Sequence, residues 1–158
     1  MKKRLFLIIL LLLIPLGGYL WHHQQPEQQI GRTIEQFFEH VEHRKVSIRQ
    51  PDDVSTAFQE SLADKIIFQG ASPIPDEELT VKEAINRVGQ LHALTTLVEI
   101  TEMSRTLKVI GSKAQAYLSI KILAAAGKNY KIEQAWELVF DLEESDKWRI
   151  TGIRGREN

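Results

Sequence analysis

Apolar residues recur at every second position through most of Ala114–Leu142, on either side of a turn at Gly127-Lys128-Asn129. Before the turn, Ala116, Leu118, Ile120, Ile122 and Ala124 share one face, opposite Gln115, Tyr117, Ser119 and Lys121. After it, Ile132, Trp136, Leu138, Phe140 and Leu142 lie opposite Glu133, Glu137 and Asp141. Alanine, leucine and lysine favour helix as single residues. A period of two, however, puts successive side chains on opposite faces, and only a strand does that. Two such strands joined by a short glycine-containing turn form a hairpin, and one apolar face requires a layer packed against it.

The surrounding segments extend this sheet. LVEITEMSRTLKVIG reads as a long strand with a bulge and ends in a turn at Gly111-Ser112-Lys113. Glu144-Ser-Asp146 turns the chain into KWRITGIRG, where Trp148, Ile150 and Gly152 take the inner side. KIIFQG (65–70) is a short early strand, and ASPIPDEEL is expected to be a loop. Helices supply the covering layer. Ile30, Ile34, Phe37, Phe38 and Val41 form a stripe at helical period, in a helix expected to stop before Pro51. PDDVSTAFQESLA is a second, short helix, and Thr80-Val-Lys-Glu83 has the form of a capping box opening a third that runs to about His92. Three helices, one early strand and a meander of long antiparallel strands make an α+β domain.

The amino end is of another kind. Lys2, Lys3 and Arg4 precede an apolar run from Leu5 to Trp21, broken only by Pro15 and Gly17-Gly18. A basic end followed by an apolar stretch is the layout of both a signal peptide and a signal anchor. Cleavage after Gly17 or Gly18 would place Pro15 or Leu16 where a small residue is needed, so retention is the expectation. As a helix the run would span about 25 Å, with Tyr19 and Trp21 at the interface and the cations on the cytoplasmic side. This assigns 1–21 to a cytoplasmic end and transmembrane anchor, 22–29 to a linker, 30–154 to the folded domain and 155–158 to a tail. The domain then sits outside the cytoplasm, with secretion after cleavage as the alternative.

Residues 1–23 hold three cations and no acids, so 17 Lys+Arg remain against 21 Asp+Glu, a net charge of −4. That balance argues against nucleic acid as a partner. The absence of cysteine removes disulfides, thiolate nucleophiles and Cys-ligated zinc. His40 and His43, three apart on the first helix, fall on its flank and polar side and read as solvated residues; no metal or other cofactor is expected.

The order of elements, with Leu62-Ala-Asp64 leading into the first strand, Gly111 before a later one and Trp148-Arg-Ile150 in the last, resembles the nuclear transport factor 2-like superfamily over about residues 27–154. The resemblance implies a cystatin-like cone of three helices on a curved antiparallel sheet, in a family that often dimerises through the outer sheet face. That family includes ketosteroid isomerases, scytalone dehydratases, SnoaL-like polyketide cyclases and proteins without activity, so it implies shape more firmly than function. The isomerase-type base would fall where this chain has Gln69 and Gly70, neither of which accepts a proton at neutral pH.

The candidate residues follow from strand phase and from the resemblance. The inner face offers Phe37, Leu118, Gln134, Trp136, Phe140 and Trp148 as the lining of an apolar pocket, or as plain core. Asp64, Tyr130 and Gln134 are the catalytic candidates, and capping or pairing at the start of its strand is the more frequent role of an acid at the position of Asp64. Tyr117, Leu123, Val139 and Ile153 are assigned to the outer face as a patch for a homodimer. The expectation is a membrane-anchored, non-catalytic module that binds a partner protein or small apolar ligand. The alternative is a SnoaL-like enzyme or carrier acting on a hydrophobic molecule in the cone.

Overall fold

The computed structural model describes residues 26–44, 56, 58–70, 76–127 and 130–157. The anchor assigned to 5–21 lies outside them. Among the described residues no helix is long and apolar enough to cross a membrane.

Helix α1 covers residues 26–41, and Ile30 and Ile34 on its stripe are fully buried. It stops well short of Pro51. The chain straightens after Glu42 into β1 (His43–Arg44), which pairs antiparallel with Val98 and Leu97. Residues 58–61 form a short helix, α2, that leads directly into β2 (Leu62–Gln69). The segment expected to be a loop before Thr80 contains a strand, β3 (Glu77–Thr80), paired antiparallel with Lys65–Phe68. Its apolar content was too low to mark it as a strand, and the partner strand supplies the missing reason to extend. Helix α3 (Val81–Leu94) starts on the expected capping box: the Glu83 N–H donates to Thr80 Oγ1, and the Thr80 N–H donates to the Glu83 carboxylate at 2.8 Å.

The long strands are β4 (Leu97–Ile110), β5 (Lys113–Ala126), β6 (Tyr130–Glu144) and β7 (Trp148–Glu157). Strand β7 therefore runs through residues assigned to a tail. The seven strands form one sheet in the order β1-β4-β5-β6-β7-β2-β3, antiparallel except where β2 lies parallel to β7. Gly111 and Gly127, at φ 59° and 67° at the two ends of β5, take a left-handed backbone conformation that L side chains rarely adopt.

Two bulges set which side chains face the helices. In β4 the register slips between Glu102 and Ser104, leaving Met103 as the extra residue. In β7, Ile150 faces Leu142 but Gly152 faces Asp141, so Thr151 is extra. One inserted residue reverses the phase of everything beyond it. Ile153 therefore points into the core, only 5 % exposed, and Gly152 turns outward against Asp141. Both assignments made by simple alternation from Trp148 are thereby corrected. The remaining phases of β5 and β6 hold: Ala114, Ala116, Leu118, Ile120, Phe140 and Leu142 are buried, while Glu133 and Glu137 are exposed.

Candidate functional site

The inner face of the sheet has a closed end and an open end. At the closed end, Phe140, Trp148 and Leu118 are at most 2 % exposed. Phe37 and Phe38 of α1 meet the Phe140 ring edge-on at centroid distances of 5.4 and 5.8 Å, and Phe37 stacks on Phe58 at 5.5 Å. Thr33 ties the helix down by donating from Oγ1 to the Trp148 carbonyl at 3.2 Å. Four of the residues assigned to a pocket lining (Phe37, Leu118, Phe140 and Trp148) are thus core side chains filled in by α1.

At the open end the same inner row continues through Ile122, Ala124, Ile132, Gln134 and Trp136, all half-buried. The Trp136 indole lies over Gly155, whose missing side chain would stand 3.6 Å from it and 3.3 Å from Leu138. Helix α3 packs on β2 and β3 and turns Ala84, Ile85 and Val88 toward the core. From Ile132 to Leu142 every inner side chain of β6 except Gln134 is apolar or aromatic.

The catalytic candidates do not converge. Asp64 is exposed on β2, with no hydrogen bond or ion pair among the described residues, and sits between the levels of Ile150 and Gly152 on β7. Gln134 lies eight residues along β6 from Leu142, the partner of Ile150, which is about 27 Å of extended chain. Tyr130 is 60 % exposed and farther still.

Charged residues that sequence reasoning missed face inward at the edge of the sheet. Beyond the Met103 bulge, Arg105 shares the inner side with Leu107 and Val109. Its Nε and one terminal nitrogen donate to the two Glu102 oxygens at 3.0 and 2.6 Å, and the other terminal nitrogen is 3.6 Å from Glu35 of α1. Gly31 lets it approach, since a Cβ there would be 3.0 Å from the guanidinium. The signal was present, because Arg105, Leu107 and Val109 keep period two. An open cleft of about 350 Å³ lies beside this cluster, lined by Glu27, Gln28, Gly31, Arg32, Glu35 and Arg105.

The histidines also differ from expectation. His40 is buried rather than solvated; its Nδ1–H donates to the Gln36 carbonyl at 2.6 Å and its ring stacks on Phe58. His43 lies in β1, stacked on His92 at 4.5 Å, and His92 Nε2 donates to the Val41 carbonyl at 3.1 Å. Among the described residues no three potential ligands gather round a metal position.

On the outer face, Tyr117 is 44 % exposed and opposite Val139, while Leu123 faces Glu133. The Tyr117 hydroxyl donates to Gln115, whose amide donates to Asp141 at 2.8 Å, and Arg154 donates to the same oxygen at 3.0 Å. Lys121 holds the Glu133 carboxyl below the usual carboxylate range by a hydrogen bond and by its charge. Ile153 is in the core, and Tyr117, Leu123 and Val139 lie on the outer face.

No family model matches the sequence, and no curated protein matches it. Solved structures do. A nuclear transport factor 2-like superfamily protein from Salmonella enterica serovar Typhimurium is similar at a TM-score of 0.68 and 13% identity, over 85% of this chain and 92% of that one. A family protein with a cystatin-like fold from Novosphingobium aromaticivorans gives 0.66 at 10% identity, over 89% and 86%. A proposed dehydratase of the family from Streptomyces avermitilis gives 0.68 at 12% identity, over 85% and 98%. The chain has the nuclear transport factor 2-like, cystatin-like α+β fold, one that carries both proposed enzymes and proteins described by fold alone.

Proposed function

We propose that the protein is a non-catalytic binding module, held on the outer side of the cytoplasmic membrane by residues 5–21, that takes up an apolar group between α3 and the open end of the sheet. One observation carries this reading: the inner row from Ile122 to Trp136 is apolar except for Gln134 yet half-buried, while the equivalent row at the closed end is sealed by α1. An apolar concave surface with one amide, Gln134, suits a small hydrophobic ligand or an apolar side chain of a partner protein. Proton transfer would need an ionisable group there, and an amide is none. The inward-facing Glu102 and Arg105 neutralise each other at the sheet edge. Pairing of two copies through Tyr117, Leu123 and Val139 belongs to the same proposal.

Titration of the full chain with an apolar fluorescent probe such as anilinonaphthalene sulfonate tests it. One site per chain is expected, weakened about tenfold or more by Trp136→Ala, on the scale of a lost aromatic contact, and untouched by Leu123→Ala on the outer face. Equal affinity in both variants, or no binding by the folded protein, would sink the reading.

A further inference from the structure

Strand β5 pairs with one side of β4 along its length; on the other side β1 covers only Leu97 and Val98, and among the described residues no strand lies along that side from Glu99 to Ile110. The Glu42 side chain caps one backbone N–H of this edge, that of Ile100, at 2.8 Å. The opposite edge is only four residues long and runs straight into α3. A long unpaired edge presents a row of backbone donors and acceptors to an incoming strand. The Met103 bulge twists the first half of β4 out of line, which confines a straight edge to Ser104–Ile110.

We propose that this edge is a strand-addition site for an extended segment of a partner protein, with apolar side chains on its inner face and acidic ones on its outer face. The inner requirement comes from Leu107 and Val109, half-buried at the rim of the core. The outer one comes from Lys108, exposed on β4 with no ion pair among the described residues and with Lys113 diagonal to it on β5, whereas Lys65, Lys121 and Arg154 on the same face are each paired.

The cleft beside Arg105 adds selectivity. Thr33 leans toward β7, so the other flank of α1, with Gln28, Gly31 and Glu35, lies over the β4 edge. An added strand would direct the inner side chain opposite Arg105 into that cleft. Arg105 is already flanked by Glu102 and Glu35, so an uncharged hydrogen-bonding side chain fits best. Backbone pairing supplies affinity and the cleft supplies choice.

The test uses the full chain and a capped ten-residue peptide alternating valine with glutamate, read by amide hydrogen exchange. Slowed exchange across Ser104–Ile110 is expected. A valine–lysine peptide should bind about fivefold more weakly, the scale of one or two exposed charge pairs, and Lys108→Glu should narrow or reverse that preference. No protection at millimolar peptide, protection elsewhere, or equal binding of the two peptides would overturn the proposal. Edge amides protected before any peptide is added would also overturn it. Loss of that protection on dilution would then identify a second copy as the occupant, and its persistence would identify this chain's own segments.

Discussion

Ile153 stands directly opposite Phe140 across β6 and β7, and both side chains enter the core. That pairing exists because Thr151 is an extra residue in β7. Ile153→Ala should therefore lower stability by about 2–4 kcal/mol, as a buried large-to-small change does. Leu123→Ala on the outer face should stay within about 1 kcal/mol of the unmodified chain. Urea unfolding of the two variants checks the assignment, and equal costs would mean that the bulge is misplaced.

Gly155 gives the Trp136 indole its seat. Gly155→Val should crowd Trp136 and Leu138 and cost about 1–3 kcal/mol, with a shift in tryptophan emission. A variant with unchanged stability and emission would show that the indole rests elsewhere.

The capping box of α3 links stability to pH. Hydrogen bonds from the Thr80 backbone and side chain hold the Glu83 carboxyl below its ordinary value. A depressed carboxylate contributes stability above the unfolded value, near 4.3, and that contribution fades as pH falls through the lower folded value. Glu83→Gln should accordingly flatten the acid limb of the stability curve as pH falls below the ordinary carboxylate range. Thr80→Ala should cost about 1 kcal/mol at neutral pH.

Among the described residues, His40 leaves its buried Nε2 without a hydrogen-bond partner while the other ring nitrogen bonds Gln36. His40→Phe keeps a ring against Phe58 and removes the orphan, so stability should rise by about 1 kcal/mol. His40→Ala should lower it by about 2–4 kcal/mol through lost packing. If His40→Phe proves as costly as the alanine variant, the imidazole has a polar role inside the cone.

The sequence alone determined what depends on neighbours along the chain. Period two from Ala114 to Leu142 needs only local geometry, so the phases of β5 and β6 could be read directly. The Thr80–Glu83 box is likewise a four-residue device, and the order of elements pointed to the fold. Tertiary structure decided what depends on pairing. Strand β3 extends because β2 is beside it. His40 is buried because Phe58, distant in sequence, folds across it. The bulges at Met103 and Thr151 appear only when two strands are set in register, and each reverses every side chain beyond it. Ile153 therefore owes its position to a partner that no local pattern names, whereas the inward side of Arg105 could be read from the period two it shares with Leu107 and Val109.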